Sequence, residues 1–446
     1  MDNRFQRFSA IEHGLILLCF AVCLAGALLL PVDQCPDEQA RLLLTEWIVK
    51  TGTLPTGNEP EVMIPGWGYS YALYPYLSSM IGAVFVKVAM LFTSSDCVLL
   101  VAARMGSILS VTVCCCFCLR LGHKLFEKRF SAILFASVVC FLPQVMFLGM
   151  YQNNDALSLC AVSIMLYFFA EGYDSKWPVK SCVGLAVGFS LGLLSYYPVY
   201  GWILVGAMFC ILSVLTDPEI PDKGRFIAKR AALAVGICLL LAGWFFLRNA
   251  FLHNGDFLGF VSEQRSRASM REQGHVLYDY VCYRSKGMSI SQFLRFKDYE
   301  WIRMSAKSFI GVFGYMVYYL PSAQYVVFCS LFLFGLLTSF ATLLRGRSHR
   351  RERFLMLVMT ASVGINFALH FWQSYARDYQ PQGRYIITVI FPLAYMLAYG
   401  IDKTFGTVVN PRPGKSAALH PAAALTVVWL ALFAWACLGT MTKMLP

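Results

Sequence analysis

Long apolar segments recur along most of the chain, and short polar stretches separate them. The first of them, Gly14 to Leu30, carries no charged residue at all. Twelve segments are long enough to count, near residues 14–30, 69–93, 98–121, 131–150, 155–171, 178–196, 199–216, 227–247, 322–344, 354–372, 384–401 and 420–441. Since such segments match the length of membrane-spanning helices, the pattern predicts an all-α polytopic membrane protein with a single integral-membrane domain over residues 1–446.

The basic loops indicate how many segments cross the membrane. With a cytoplasmic N-terminus and twelve spans, loops 120–129, 221–230 and 345–354 fall outside, which inverts the positive-inside rule. If segment 69–93 instead enters the membrane and returns, all three loops become cytoplasmic. Its start, PGWGYSYALYPYLSSM (65–80), has the Gly, Pro and Tyr content of an interfacial segment. We therefore expect eleven spans plus a membrane-surface or re-entrant element, with a twelve-span protein of different orientation as the alternative.

This topology sorts the polar loops into two compartments. The basic stretches YDSKWPVK (173–180) and DKTFGTVVNPRPGK (402–415) join the cytoplasmic side. Four stretches fall on the outer side: a first outer loop with membrane-surface helices (32–97), MYQNNDALS (150–158), a second large outer segment (249–321), and RDYQPQGRY (377–385). The polar residues suited to catalysis or ligand binding thus lie in one compartment. Within the second large segment, we expect the polar residues 263–287 to be a loosely ordered loop with short helices.

Composition agrees with a membrane protein. Of the 446 residues 58% are hydrophobic and 14% charged, and the mean hydropathy is +0.59. The net charge of +12 does not indicate nucleic-acid binding, because the basic residues cluster between apolar segments. Most of the sixteen cysteines lie inside predicted spans, where they act as small apolar side chains, and no zinc-ligand spacing stands out. Cys35 and Cys282 lie outside the spans, and the sequence leaves open whether they pair.

An acidic pair, Asp37 and Glu38, follows the first span. Two adjacent carboxylates in partly dry surroundings raise each other's pKa, which suits a general base. The alternative is structural, because acidic residues also favour the first turn of a helix, and DEQARLLLTEWIVK is a plausible amphipathic helix.

A second polar group, Asn153-Asn154-Asp155, opens an apolar helix that runs to about Glu171. An Asn or Asp at this place is an ordinary helix cap. Asp155 is also suited to orient an acceptor or to hold a divalent cation at the outer surface.

Two arginines mark the outer ends of later spans. Arg384, followed by Tyr385, either extends to the lipid headgroups or binds a phosphate through two hydrogen bonds. For Arg248, extension to the headgroups is the favoured interpretation. The apolar stretch KSFIGVFGYMVYYLP (307–321) either lines a lipid-facing groove or forms an interfacial aromatic belt.

Several short motifs, in this order, resemble the GT-C class of integral-membrane glycosyltransferases. The motifs are PDEQAR (36–41), TGTLP (51–55), YQNNDALS (151–158), WFFLRNAFLHNGDFLG (244–259), SFIGVFGYM (308–316) and QGRYIITVIFP (382–392). The likeness is to the bacterial branch of protein O-mannosyltransferases, aminoarabinose transferases and their uncharacterised relatives. It implies a first outer loop with membrane-surface helices, which the charges of the loops and the number of crossings also predict.

The resemblance implies inverting transfer from a polyprenyl-phosphate-linked sugar to a glycan, lipid or protein acceptor. The site would lie on the outer side of a bacterial cytoplasmic membrane. The first-loop acid, Asp37 or Glu38, would be the base, and we favour Asp37, with Glu38 and Asp155 shaping its pocket. Arg384 would hold the lipid phosphate. Relatives often carry His three residues after the Glu, where this chain has Arg41, so the acceptor at the first loop is open. The predicted substrate-binding residues are Arg384, Tyr385, Asn154, Arg248 and Arg41.

The cofactor is open as well. Two or three acids can hold one divalent cation such as Mg²⁺ or Mn²⁺, but the mechanism does not require it. The main alternative function is a transporter or lipid-linked glycan flippase. It would need a polar pathway through the spans, and Arg104 is the main ionisable residue within one. An assembly protein of the cell envelope is a third class, which would need neither the acids nor Arg384.

Overall fold

The computed structural model describes residues 7–346, 348–405 and 420–445, and they are mainly helical. In chain order the helices are α1 (Ala10–Leu29), α2 (Glu38–Thr51), α3 (Leu77–Ala89), α4 (Asp96–Leu125), α5 (Arg129–Cys140), α6 (Pro143–Gly149), α7 (Asp155–Asp174), α8 (Val179–Ser195), α9 (Tyr200–Leu215), α10 (Lys223–Cys238), α11 (Trp244–Leu252), α12 (Phe260–Glu272), α13 (Ile290–Gly311), α14 (Ser322–Leu344), α15 (Arg350–Ala376), α16 (Ile390–Phe405) and α17 (Pro421–Gly439). A short antiparallel hairpin, β1 (Val312–Phe313) with β2 (Tyr318–Tyr319), follows α13.

The apolar helices confirm the expected fold class. Within the described residues, nine helical stretches are long and apolar enough to cross a membrane, and α5 with α6, bent by 65°, forms a tenth candidate. The shorter α8 packs against α7 in the opposite direction, with its last residue, Ser195, 3.2 Å from Ser158 near the start of α7. Counting α8 as a span brings the total to the expected eleven.

The first loop leaves and re-enters the bundle at the same end. Arg104, near the start of α4, donates hydrogen bonds of 2.7 and 2.8 Å to the carbonyls of Ala27 and Leu30 at the end of α1. The thirteen residues of α3 are too few to span a bilayer, and Gly82 within it lies against the Ala103 carbonyl of α4. The chain between α1 and α4 therefore returns to the end of the bundle that it left and does not cross the membrane, as the loop charges predict.

The basic loops meet at the opposite end of the bundle. Beside these loops, ion pairs join the ends of helices that are far apart in the sequence: Lys124 with Glu171 at 3.0 Å, Arg351 with Asp174 at 2.5 Å, and Lys403 with Glu352 at 2.7 Å. Residues 406–419, part of another predicted cytoplasmic loop, lie outside the described residues. The two ends of the bundle thus differ in the way the sequence predicts; that the basic end is cytoplasmic stays a prediction.

Part of the second large segment, the short helix α12, is attached to the first loop. Buried Glu263 on α12 accepts hydrogen bonds from Tyr74 and Tyr280, and Arg267 donates one of 2.7 Å to the Trp67 carbonyl. These contacts attach α12 to the first loop. Residues 263–287 contain the end of this short helix, and residues 273–289 form no helix, which is the arrangement of short helix and loop that their polarity predicts.

Residues 307–321 form the last turn of α13 and the hairpin, and whether they line a lipid-facing groove or form an interfacial aromatic belt stays a prediction. The strands pair Val312 with Tyr319, and Tyr315 at the turn is exposed. Tyr315 lies close enough to Asp37 for the two side chains to interact electrostatically. The hairpin therefore lies beside the first loop.

Candidate functional site

Three segments that are distant in the sequence meet at the end of the bundle that carries the first loop. Asp37 directly precedes α2, Asp155 begins α7, and Arg384 lies in the 3₁₀ turn Gly383–Val389 that leads into α16. Arg384 and Asp37 both lie near enough to Asp155 to act on its charge. The structure therefore brings together one predicted residue from each of the three loops.

Asp37 is held by an ion pair rather than by another acid. Its carboxylate accepts a 2.7 Å hydrogen bond from Arg384, and its side chain is 27% exposed. Burial raises the pKa of Asp37, but the charges of Arg384 and Arg41 and hydrogen bonds from Arg384 and Tyr71 outweigh it, so the pKa lies below its usual range. The raised pKa expected from the acid pair was wrong, because the nearest charges are guanidinium groups.

The backbone conformation of Asp37 bears on the alternative that this residue caps α2. It adopts the left-handed conformation, with φ of 62°, and its side chain makes no capping bond to α2. The carboxylate is thereby free to reach Arg384. The structural interpretation of Asp37 as an N-cap does not fit this geometry, since a capping side chain would bond to the first turn of its own helix.

The glycine before Arg384 fixes where that side chain enters the site. A Cβ on Gly383 would lie 2.2 Å from the Ser305 carbonyl oxygen and 2.3 Å from the Phe309 nitrogen, both backbone atoms of α13. The Gly383 N–H donates a 2.7 Å bond to the Ser308 hydroxyl. This close approach places Arg384 inside the site, only 11% exposed, and excludes simple extension to the headgroups.

Arg384 and Arg41 are both flanked by tyrosine rings. The Arg384 Cζ lies 5.2 Å from the centre of the Tyr385 ring, and the Arg41 Cζ lies 5.0 Å from that of Tyr71 and 6.0 Å from that of Tyr196. The rings of Tyr196 and Tyr385 are 6.2 Å apart. Aromatic faces attract guanidinium groups, so these tyrosines hold both arginines at one site.

Asp155 is 4% exposed and its carboxylate makes no hydrogen bond within the described residues. The capping role expected of this motif falls to Asn153, whose Oδ1 accepts a 2.8 Å bond from the Ala156 N–H. Asp155 is consequently left available for a group that enters the site.

Glu38 faces away from the site, although it adjoins Asp37. It is fully buried, and Arg104 binds both its oxygens, with Nε–Oε1 at 2.9 Å and Nη2–Oε2 at 2.6 Å. Its Oε1 also accepts a 2.7 Å bond from the Gln152 N–H. This position does not fit a base that meets an acceptor, so of the two acids only Asp37 remains a candidate.

Asn154 binds the protein itself rather than the site. Its amide donates a 3.1 Å bond to the Pro75 carbonyl and accepts one from the Ser78 hydroxyl. The expected substrate contact is therefore replaced by a contact that fastens α7 to the first loop.

Arg248 also has a structural place. It donates two 2.9 Å bonds to the carbonyls of Leu54 and Pro55, in the turn that closes α2. Extension to the headgroups, the favoured interpretation, does not match these contacts. The charged side chain instead fixes the return of the first loop.

Sequence reasoning missed Tyr71, Tyr151 and Tyr196. Tyr151 is fully buried near Arg384, and its hydroxyl has no partner among the described residues. Each tyrosine belongs to a stretch with several aromatic residues, which predicts an interface with the membrane as readily as a site. Only the fold distinguishes the tyrosines that line the site from those that do not.

The two cysteines outside the predicted spans lie in separate environments. Cys35 and Cys282 are both free, and Cys282 contacts the Ala376 carbonyl whereas Cys35 is buried beside Arg104. Within the described residues, the only group of three or more His, Cys, Asp or Glu side chains close enough to share a metal ion is Cys114, Cys118 and Cys140, inside the bundle.

Comparison with solved structures defines the fold class. An oligosaccharyltransferase from Archaeoglobus fulgidus, tethered to an acceptor peptide, matches with a TM-score of 0.54 and 11% identity over 97% of this chain and 54% of that one. ArnT from Cupriavidus metallidurans bound to undecaprenyl phosphate matches with a TM-score of 0.53 and 14% identity, over 96% of this chain and 70% of that one. The archaeal enzyme AglB, in complex with an inhibitory peptide and a dolichol-phosphate, matches with a TM-score of 0.53, 11% identity, and 96% and 55% coverage.

These neighbours are GT-C glycosyltransferases, and the chain has the GT-C fold, as its motifs predicted. It spans about half the length of the oligosaccharyltransferase. The family described as "Predicted membrane protein (DUF2142)" matches residues 62–394, and the chain belongs to this family. No curated protein matches the sequence.

Proposed function

We propose that the chain is a glycosyltransferase that moves a sugar from a polyprenyl-phosphate-linked donor to an acceptor, with inversion. The observation that carries the proposal is the Asp37–Arg384 ion pair beside Asp155, which has no partner among the described residues, at one end of a GT-C fold. The complexes of ArnT with undecaprenyl phosphate and of AglB with a dolichol-phosphate support a lipid-phosphate donor. The acceptor is a glycan, a lipid or a protein.

Asp37 acts as the base. Its lowered pKa keeps it ionised at neutral pH, ready to take the proton of an acceptor hydroxyl or amine. The acceptor atom forms a bond to the anomeric carbon as the bond from that carbon to the phosphate oxygen breaks, and the proton passes to Asp37. Because phosphate is a good leaving group, no second acid is needed, unlike the two-carboxylate hydrolases.

Arg384 interacts with both the base and the leaving phosphate. In the ion pair it neutralises Asp37, and when Asp37 takes up the proton that charge interaction is lost. The guanidinium can then interact more strongly with the phosphate, which gains charge as it leaves. Asp155 would accept hydrogen bonds from hydroxyl groups of the sugar, since its carboxylate has no protein partner among the described residues.

The reaction needs no metal ion in this scheme. A divalent cation beside Asp37 would also meet the charge of Arg384, so the charges around Asp37 favour an anionic ligand. Dependence on Mg²⁺ or Mn²⁺ is tested by adding EDTA to the transfer assay, and a loss of turnover that either ion restores would add a metal to the mechanism.

We place the site on the outer side of the cytoplasmic membrane, because it lies at the end of the bundle opposite the basic loops. A transporter or flippase receives less support. Arg104, the main charge expected along a pathway, is held entirely by Glu38 and by backbone carbonyls near it.

The test uses purified protein in lipid nanodiscs with a panel of synthetic undecaprenyl-phosphate sugars. Release of undecaprenyl phosphate should depend on the protein, and NMR of the product should show the inverted anomer. A deletion strain should lack one modification of its envelope glycans, lipids or proteins. The absence of turnover on the panel, together with an unchanged envelope in the deletion strain, would overturn the proposal.

A further inference from the structure

Arg41 differs from the other buried arginines of the described residues in having no polar partner. Arg104 binds a carboxylate and two carbonyls, and Arg267 binds two carbonyls. The Arg41 guanidinium is buried to a similar degree, with 6% of the residue exposed, yet it makes no hydrogen bond or ion pair with a described residue. Its Nε in particular is enclosed without an acceptor.

A buried guanidinium without an acceptor is costly, so its position needs a reason. Neither acid one turn earlier is its partner, because Asp37 accepts a hydrogen bond from Arg384 and Glu38 is bound by Arg104. The rings of Tyr71 and Tyr196 hold the Arg41 guanidinium in place without satisfying its N–H groups. The side chain is therefore positioned and left with free donors, which is the arrangement expected of a ligand-binding group.

The position of Arg41 indicates which ligand it binds. It acts on the charges of both Asp37 and Asp155, and Tyr196 lies between it and the Tyr385–Arg384 pair. A planar guanidinium with unused N–H groups binds phosphate through two parallel hydrogen bonds. We propose that Arg41 is a second ligand of the donor's lipid-linked phosphate, together with Arg384; this inference rests on the proposed function.

Arg41 then has a different task from Arg384. Arg384 is shared between the base and the phosphate, whereas Arg41 is free to bind the phosphate from the moment the donor enters. Donor binding supplies the missing acceptors of Arg41, so the cost of the unpaired buried charge is removed only in the complex. Arg41 should consequently contribute to donor affinity more than to the rate of the chemical step.

The experiment measures binding of undecaprenyl phosphate to the purified full-length protein in nanodiscs, with undecaprenol and inorganic phosphate as separate probes. Arg41→Gln should weaken undecaprenyl phosphate binding by about tenfold or more, the scale of charge-assisted hydrogen bonds. Arg41→Lys should lie between, because it keeps the charge and loses the planar fork. Arg265→Gln, which removes the same charge from an exposed position on α12, is the control and should bind as the wild type does.

The probes separate the sources of the effect. Undecaprenol binding should be equal in all variants, because it lacks the phosphate, and inorganic phosphate should compete with undecaprenyl phosphate less well for Arg41→Gln than for the wild type. The melting temperature of Arg41→Gln without ligand should stay close to that of the wild type, because the Arg41 guanidinium makes no hydrogen bond or ion pair with a described residue.

Two results would overturn the inference: unchanged undecaprenyl phosphate binding by Arg41→Gln, or a lower melting temperature with an equal loss of undecaprenol binding, which indicates a structural role. Either result leaves the proposed function standing if Arg384→Gln weakens binding. If the wild-type protein binds none of the lipid phosphates, the proposed function itself fails.

Discussion

Replacement of Glu38 by Gln tests whether this acid of the first loop stabilises the fold. Glu38 is fully buried, and its two oxygens neutralise Arg104 through bonds of 2.9 and 2.6 Å. The amide can accept one bond but carries no charge, so Arg104 would remain as a buried cation with only neutral acceptors, among them its two backbone carbonyls. Breaking one partner of a buried ion pair costs about 3–5 kcal/mol, so Glu38→Gln should be markedly less stable than the wild type.

The assay is thermal unfolding of the purified protein in detergent, followed by intrinsic tryptophan fluorescence. Glu38→Gln should unfold several degrees below the wild type. The double variant Glu38→Gln, Arg104→Met removes both charges and should recover part of the loss, because the destabilisation comes from the charge left unpaired. A wild-type melting temperature for Glu38→Gln would refute the assignment of Glu38 to the structural core.

Asp37→Asn is the matched variant at the neighbouring position. Asn tolerates the left-handed backbone conformation at φ of 62°, and its amide can still accept a bond from Arg384. It cannot take the proton, so turnover should fall by roughly 10²-fold or more while the melting temperature changes little. Normal turnover in Asp37→Asn would return this acid to a structural role and remove the proposed base.

Three further predictions concern the charges and the packing around the site. Arg384→Gln removes the main charge that lowers the Asp37 pKa, so on acidification the residual transfer activity should be lost at a higher pH than in the wild type. Loss of activity at the same pH in both proteins would contradict the electrostatic coupling of Arg384 and Asp37. Gly383→Ala would bring a Cβ within 2.2 Å of the Ser305 carbonyl, so it should lower both donor binding and the melting temperature, and unchanged values would exclude the close approach. A Cys placed at Ser348 in a background without reactive cysteines should be labelled by an impermeant reagent only in inverted vesicles, and labelling of intact cells would reverse the predicted orientation.

The sequence by itself determined the membrane class, the approximate number of spans and the excursion of the first loop. These follow from local properties, since hydropathy and loop charge act on each segment separately. It also placed Asp37, Asp155 and Arg384 on one side of the membrane, which is the condition for a shared site. The motifs further indicated the GT-C fold.

Only the tertiary structure decided which of these residues meet and in what state. Glu38 and Asp37 are neighbours in the sequence, yet one pairs with Arg104, 66 residues away, and the other with Arg384, 347 residues away. Adjacent carboxylates predict raised pKa values, whereas the contact with Arg384 lowers that of Asp37. The burial of a side chain and the charges around it depend on the segments packed against it. The local pattern of a single sequence does not show which segments these are.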